Sequence, residues 1–340
     1  MENIIAVLPV AGFGKRLRPH TLTKAKVLLT IAGKPILSYI IDELLNLPIN
    51  EFIFIVGHCG KQIETFIQDN YSLNAQFVYQ EEQRGLGHAV YLSKDFIEPD
   101  DDMLIILGDT LFEADLTAII ASDISLIGVK EVKDPSRFGV VQMKQDRVQN
   151  LVEKPNKPPS NLAIVGIYFI KQSMQLIQAL EYTISRGITT KGEIQLTDAL
   201  HYLVQQGNQM SVFKVQGWFD CGKPETLLAT NRYLLEKYHH TTAIEGSPVK
   251  PPVFIGNGVT IEGSTIGPFV SISDGCIIED TIISNSIVYD NSVIKSCNLV
   301  NSIIGSSSVV KGANQMLNIG DFSTIVHFNE ERTKQNEKGD

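Results

Sequence analysis

Gly12 and Gly14 stand in Val10-Ala11-Gly12-Phe13-Gly14-Lys15-Arg16-Leu17-Arg18-Pro19, directly after the apolar run Ile4-Ile5-Ala6-Val7-Leu8. Glycines that follow a buried strand let backbone N–H groups approach a phosphate with no Cβ in the way. Arg16 and Lys26 add the positive charge that a polyphosphate needs. A plain tight turn is the alternative for a lone G-x-G. Two commoner phosphate motifs do not fit. The dinucleotide fingerprint G-x-G-x-x-G fails because Leu17 fills the third glycine position and Pro19 follows. A P-loop spacing occurs at Gly217–Lys223, but Pro224 replaces the hydroxyl residue and the loop holds Trp218 and Phe219, so we read it as accidental.

Two aspartates have the placement of cation ligands. Met103-Leu104-Ile105-Ile106-Leu107 ends in Gly108-Asp109-Thr110, which puts Asp109 at the carboxyl end of an expected strand. Ligands of open α/β sheets bind at that edge, and a carboxylate there can hold Mg²⁺ while the cation bridges phosphate oxygens. Asp220, in Trp218-Phe219-Asp220, follows the expected strand Ser211–Val215. Asp also favours ordinary turns, which is the alternative for both. In Gln80-Glu81-Glu82-Gln83-Arg84-Gly85-Leu86-Gly87-His88, the Gln80 amide offers donors and an acceptor that match a pyrimidine edge. Gly85 permits close backbone approach, although a polar loop entering a helix is the simpler reading, and His88 reads as a surface or capping residue. In Glu153-Lys154-Pro155, Glu153 can accept from sugar hydroxyls and Lys154 can hold a phosphate; an exposed ion pair is the alternative.

These residues require a scaffold, and the patterning supplies one. Up to about residue 240, apolar runs (Ile4–Leu8, Phe52–Val56, Gln76–Tyr79, Met103–Leu107, Ile124–Val129) alternate with helical patterns such as Ile36–Leu45 and Gln62–Gln68. That alternation predicts an α/β domain with a mostly parallel sheet covered by helices. Later strands read as a hairpin, Gly139–Met143 with Val148–Val152, then Ala163–Ile170, with a last helix over Pro224–Tyr238. From Val249, aliphatic residues recur every five or six positions: Ile255, Ile261, Ile266, Ile272, Ile278, Ile283, Val288, Ile294, Leu299, Ile304 and Val310. Ser, Asn, Gly and β-branched residues between them disfavour helix, and the period predicts a β-helix with an aliphatic axis, a β-sandwich being the alternative. The expected organisation is 1–240, 241–327 and a charged, disordered tail over 328–340.

Bulk properties narrow the classes. The 340 residues carry a net charge of −9, which argues against a broad nucleic-acid footprint. Glu2 stands where a signal peptide would be basic, and no apolar run is long enough to span a bilayer, so a cytoplasmic protein without a membrane role is expected. The 4 cysteines are scattered without a C-x-x-C pair, as expected of reduced thiols.

The order of the motifs resembles the sugar-1-phosphate nucleotidyltransferase family over nearly the whole chain. The matching pieces are Ala11-Gly12-Phe13-Gly14-Lys15-Arg16-Leu17, Lys26, Gly85-Leu86-Gly87-His88-Ala89, Gly108-Asp109, Phe138-Gly139-Val140-Val141, Val152-Glu153-Lys154-Pro155 and Trp218-Phe219-Asp220-Cys221-Gly222. Within the family the chain is most similar to long glucose-1-phosphate thymidylyltransferases. The resemblance implies a Rossmann-like mixed sheet followed by a left-handed parallel β-helix of hexapeptide-like repeats. It implies that Ala11, Gly12 and Gly14 lie along a nucleoside triphosphate, that Arg16 holds the departing pyrophosphate and that Lys26 contacts the reacting phosphates. Gln80, Gln83 and Gly85 are implied at the base, Asp109 and Asp220 at Mg²⁺, Gly139, Glu153 and Gly166 at a hexose, and Lys154 at its phosphate. Lys15, Phe13 and Ala25 depart from the Thr, small or polar residue, and Pro usual in the family, and Thr110 stands where thymidylyltransferases often have Asn.

The implied reaction joins dTTP or UTP to a hexose 1-phosphate with release of pyrophosphate. Ile164-Val165-Gly166 replaces the Asn-Thr-Gly of N-acetylglucosamine enzymes, which favours glucose 1-phosphate. Some relatives add acetyl transfer on the β-helix, which requires a histidine base; none occurs between Thr241 and Val326. A non-catalytic nucleotide-sugar sensor is the third reading, set against the retained Arg16, Lys26, Asp109 and Asp220. The flat sides of a β-helix point to a homo-oligomer.

Overall fold

Ile4, Ile5, Ala6, Val7 and Leu8 are buried because their strand sits in the middle of a sheet, flanked on both edges and covered on both faces. The computed structural model describes residues 3–238 and 247–327. In chain order it contains β1 (Ile4–Pro9), β2 (Thr30–Ile31), β3 (Lys34–Pro35), α1 (Ile36–Leu44), β4 (Glu51–Val56), α2 (Gly60–Asn70), β5 (Ala75–Tyr79), α3 (Leu86–Tyr91), β6 (Asp102–Ile106) and β7 (Thr110–Glu113). There follow α4 (Leu116–Ile120), β8 (Ser125–Glu131), β9 (Gly139–Lys144), β10 (Arg147–Glu153), β11 (Leu162–Ile170), α5 (Met174–Ser185), α6 (Leu196–Gln205), β12 (Met210–Lys214), β13 (Gly217–Asp220) and α7 (Pro224–Lys237).

The main sheet runs β10-β9-β11-β6-β1-β4-β5, with β8 on β11 and β12 on β8. It is mixed. β6, β1, β4 and β5 are parallel neighbours, while β11 runs antiparallel to β6, β8 and β9. The expected hairpin closes β9 against β10, pairing Gly139 with Glu153. The strand expected over Ser211–Val215 is β12, and Asp220 lies beyond it as expected, at the end of a further strand, β13, which pairs with β7. The chain leaves β12 at Lys214, and the Gln216 N–H then bonds the Glu113 carbonyl at 2.9 Å, which starts the new pairing.

After residue 247 come β14 (Val253–Ile255), β15 (Thr260–Glu262), β16 (Thr265–Ile266), β17 (Val270–Ile272), β18 (Ile277–Glu279), β19 (Ile282–Ser284), β20 (Ser286–Val288), β21 (Val293–Lys295), β22 (Asn298–Val300), β23 (Ile303–Ile304), β24 (Val309–Lys311), β25 (Asn318–Ile319) and β26 (Thr324–Val326). They stack as parallel sheets β14-β17-β20-β23-β25, β15-β18-β21-β24-β26 and β16-β19-β22, the arrangement of a left-handed β-helix. Ile261, Ile278, Ile294 and Val310 form one inward ladder and Ile266, Ile283 and Leu299 another, all buried. The repeat seen in the sequence is this axis. Serines at the corners carry their own hydrogen bonds inward: the Ser286 hydroxyl accepts the Ser302 N–H, and the Ser302 hydroxyl accepts the Leu317 N–H.

By compactness the chain forms two units, one of Met1–Phe13 and Leu37–Phe219, the other of Gly14–Ile36 and the chain from Asp220 onward. The expected boundary near 240 and the tail over 328–340 lie outside the described residues. Within the second unit, the buried Asn231 of α7 accepts from the Ala32 N–H at 2.8 Å and from the Ser271 hydroxyl at 2.7 Å, tying hairpin, helix and coil together. Among the described residues no helix is long and apolar enough to cross a membrane.

His20 is the buried titratable group of this second unit with the clearest consequence. Its Nε2 lies 2.6 Å from Asn318 Oδ1, and its Nδ1 is buried with no hydrogen-bond partner. Burial pushes its pKa below the ordinary 6.5, against the opposing pulls of the Asn318 hydrogen bond and the Asp321 carboxylate. The Tyr289 ring faces it edge-on. The ring therefore stays neutral when folded but takes up a proton when unfolded. Its contribution to stability is complete above the unfolded pKa and is lost as pH falls below that value towards the folded one. We expect melting temperature to fall less steeply from about pH 7 to about pH 5 in His20→Gln than in the wild type. Parallel melting curves would show that His20 does not set the acid sensitivity.

Candidate functional site

The parallel strands β6, β1, β4 and β5 point the same way, so the residues after them share one sheet edge. Ala11 and Gly12 follow β1, Gly57 and His58 follow β4, Gln80 follows β5, and Gly108-Asp109 follow β6. Asp109 sits in the turn closed by the Thr110 N–H on the Leu107 carbonyl at 3.2 Å. It is half-buried. Gly12 is open: a Cβ there would meet nothing within 4 Å.

A cavity of about 260 Å³ opens at this edge, lined by Phe13, Gly57, His58, Tyr79, Gln80, Glu81 and Gln83. Phe13 and His58 form an aromatic wall with ring centroids 5.3 Å apart. Gln80 is buried, and its amide NH₂ lies 3.2 Å from the Gly85 carbonyl and 3.1 Å from His88 Nδ1. His88 is thus not the surface or capping residue expected from the sequence, because its ring fixes the orientation of Gln80. Burial, and then the neighbouring Arg84, hold the His88 pKa below its ordinary value, which suits a neutral Nδ1 acceptor. The Gln83 amide donates to the Ala11 carbonyl, joining this loop to the turn after β1.

Gly85 has φ +112°, and a Cβ there would sit 2.5 Å from the Ile194 carbonyl oxygen. The loop docks on the segment before α6: the Ile194 N–H bonds the Arg84 carbonyl at 2.8 Å and the Gly87 N–H bonds the Ile194 carbonyl at 2.9 Å. That segment also brings in Thr197, which the sequence reading missed. Its hydroxyl donates to Glu153 Oε2 at 2.7 Å. A Cβ on Gly139 would lie 2.9 Å from Thr197 Oγ1 and 3.0 Å from Glu153 Oε2. Glu153 and Lys154 form an ion pair at 3.2 Å, so Gly139, Glu153, Lys154 and Thr197 are brought together. Burial pushes the pKa of nearby Asp198 up, and the Glu153 charge adds to that effect. Gly166 has φ +87° within β11, where a Cβ would strike the Leu107 side chain, and its carbonyl accepts the Leu107 N–H at 3.0 Å. It thereby packs beneath the turn that carries Asp109.

The remaining predicted residues fall in the second unit. Gly14, at φ +59°, opens the short turn of helix Lys15–Leu17. A Cβ on Gly14 would lie 2.9 Å from Thr21 and 3.1 Å from Lys26 Cβ, so a glycine lets these segments close on each other. Arg16 and Asp220 meet over Gly222, where a Cβ would lie 2.6 Å from the guanidinium and 2.7 Å from the carboxylate. The apparent P-loop glycine therefore clears space for two charged side chains. Asp109 belongs to the first unit and Asp220 to the second. Among the described residues there is no group of three or more His, Cys, Asp or Glu that could hold a metal ion. The carboxylate of Asp109, half-buried at the sheet edge, is by itself of the oxygen-donor type that suits a hard divalent cation whose shell is completed by phosphate oxygens and water.

Residues 5–237 match the nucleotidyl transferase family model. The chain is 35% identical over 241 residues to the low-salt glycan biosynthesis nucleotidyltransferase Agl11 of Haloferax volcanii, covering 68% of this chain and 66% of that one. It is 31% identical over 265 residues to a glucose-1-phosphate thymidylyltransferase of Streptomyces antibioticus, covering 75% and 72%. The first curated relatives are matched over 54% to 66% of their own length. A crystal structure of UDP-glucose pyrophosphorylase complexed with UDP-glucose shares the fold, with a TM-score of 0.61 at 23% identity over 70% of this chain and 100% of that one. The motif order, the sheet edge and the matched span agree: the chain belongs to the nucleotidyl transferase family.

Proposed function

We propose that this protein joins a pyrimidine nucleoside triphosphate, dTTP or UTP, to a hexose 1-phosphate, giving a nucleoside diphosphate sugar and pyrophosphate. The observation that carries the reading is the convergence at one sheet edge of an open glycine turn (Gly12), a held amide (Gln80) and a carboxylate (Asp109). The relatives' printed activities, nucleotidyl transfer and glucose-1-phosphate thymidylyl transfer, support it.

A phosphate oxygen of the sugar 1-phosphate attacks the α-phosphorus in line. The new P–O bond forms as the bond to the bridging oxygen of pyrophosphate breaks. No protein nucleophile is needed, so the chain contributes position and charge. Gly12 and Gly14 bring backbone N–H groups to the triphosphate. Arg16 draws the pyrophosphate away, and Lys26 neutralises the reacting phosphates. Asp109 and Asp220 would hold Mg²⁺, which supplies charge neutralisation on the phosphate oxygens. Gln80, oriented by His88, reads the base, and Phe13 with His58 offers an aromatic face on which it can stack. Glu153 and Thr197 take the hexose hydroxyls, with Lys154 on its phosphate.

Ile164 and Val165 are buried and apolar, Ile164 beside Gly139 and Val165 beside Gly128. They offer no hydrogen bond to an N-acetyl group, which favours glucose 1-phosphate. The four cysteines form no disulfide among the described residues, in keeping with work in the cytoplasm. The test is pyrophosphate release from a panel of dTTP, UTP, ATP and GTP against glucose, glucosamine and N-acetylglucosamine 1-phosphates. Glucose 1-phosphate with a pyrimidine triphosphate is expected to give the highest kcat/KM. Release with no pair would overturn the reading, and a preference for N-acetylglucosamine 1-phosphate would overturn the sugar assignment.

A further inference from the structure

Arg16 and Lys26 lie on a segment built from three short 3-10 turns, Lys15–Leu17, His20–Leu22 and Lys26–Leu28. Such turns have poor internal hydrogen bonding and take their shape from what they pack against. In the second unit this segment packs against the last coils of the β-helix. His20, 1% exposed, reaches Asn318 in β25 at 2.6 Å. The Thr23 hydroxyl donates to Asp321 Oδ2 at 2.5 Å, and Asp321 Oδ1 accepts the Ser306 N–H at 2.7 Å. Pro19 lies so close to Gly320 that a Cβ there would come within 2.8 Å of it. Lys24 and Asp290 face each other at 4.0 Å.

The contacts continue from the coil towards the cations. Thr21, next to His20, donates its hydroxyl to the Gly14 carbonyl at 2.9 Å. Gly14 in turn abuts Lys26 and starts the turn carrying Arg16. We propose that the terminal coils of the β-helix set the position of the phosphate-handling segment, with Asn318, Asp321 and Thr23 as positioning residues for Arg16 and Lys26. This rests on the function proposed above for those two cations. The β-helix is then part of the apparatus for the triphosphate as well as a structural extension.

The geometry explains why the effect should fall on one substrate. The hexose residues Gly139, Glu153 and Thr197 belong to the first unit, whereas the clamp and both cations belong to the second. Displacing a reacting or charge-stabilising group by about 1 Å can cost roughly 100-fold in rate. The test compares Asn318→Ala, Thr23→Val and their double variant with Thr23→Ser in the full chain. We expect the double variant to lose about 10- to 100-fold in kcat/KM for the triphosphate while KM for the hexose 1-phosphate changes less than about 2-fold. Thr23→Ser, which keeps the hydroxyl, should retain wild-type kinetics.

Hydrogen exchange supplies a readout that does not require turnover. Peptides spanning 14–28 should exchange faster in the double variant, with those of β1 and β4 unchanged. Unchanged exchange over 14–28, or equal losses for both substrates that Thr23→Ser shares, would overturn the proposal. If the wild type releases no pyrophosphate with any substrate pair, the functional reading fails by itself, and the exchange result still decides whether the coils hold the segment.

Discussion

Asp109→Asn should cut turnover by about 10²- to 10³-fold and leave the fold intact. The side chain keeps its size and its place in the turn after β6, but loses the charge that a divalent cation needs. Removing one preorganised electrostatic group from such a site costs about 10²- to 10³-fold in kcat, roughly 3–4 kcal/mol of barrier. The loss should appear in kcat at saturating Mg²⁺ and saturating substrates. The melting temperature should move by only a few degrees, because the substitution creates no cavity in the strand core. Full activity in this variant at saturating Mg²⁺ would refute the metal assignment. A large drop in melting temperature with the lost activity would instead place Asp109 among the structural residues of the turn.

Arg16→Ala should produce the second large effect. The exposed guanidinium stands beside Asp220 over Gly222, in a unit that also holds Gly14 and Lys26. In the proposed reaction it faces charge that accumulates on pyrophosphate as the bond breaks, so its contribution is greatest in the transition state. We expect kcat for nucleotide-sugar formation to fall about 10²-fold or more, with KM for hexose 1-phosphate little changed. Arg16→Lys should recover only part of the loss, because an ammonium cannot reproduce the planar fork that binds phosphate oxygens in pairs. In the reverse reaction the same substitution should raise KM for pyrophosphate. Full recovery by Lys would mean that only net charge matters at this position, and an unchanged kcat in Arg16→Ala would remove Arg16 from the leaving-group site.

Much of this arrangement was legible in the sequence, for identifiable reasons. The β-helix was readable because a stacked coil repeats one local environment, so the inward positions Ile261, Ile278, Ile294 and Val310 return at regular spacing. The parallel core was readable because β1, β4 and β6 are buried on both faces and carry continuous apolar runs. Gly14 and Gly85 stand where backbone closes on other segments, Gly14 on Thr21 and Lys26 and Gly85 on Ile194, whereas a Cβ on Gly12 would meet nothing within 4 Å.

What escaped were relations between distant segments. His88 carries no local mark that its ring will orient Gln80, and Thr197 becomes a partner of Glu153 only when α6 docks beside β10. The run Glu193-Ile194-Gln195-Leu196-Thr197-Asp198 was a detectable signal, since polar residues at the start of a helix, followed by an apolar face, place a hydroxyl beside whatever the helix covers. The strand β13 was missed because its pairing with β7 depends on the Gln216 N–H reaching the Glu113 carbonyl, a contact between distant segments that no periodicity announces. The attachment of Gly14–Ile36 to the β-helix unit, through Asn231, Asn318 and Asp321, is likewise a product of tertiary contact between residues hundreds of positions apart.

In the proposed reaction, a nucleotidyl group passes between two bound substrates. Its most direct measurement follows pyrophosphate and nucleoside diphosphate sugar together, in reactions containing the purified protein, Mg²⁺, a pyrimidine triphosphate and glucose 1-phosphate, with each component omitted in turn. Both products are expected in equal amounts, and only when every component is present. Pyrophosphate released from the triphosphate without the sugar phosphate, or no diphosphate sugar from the complete mixture, would contradict that transfer.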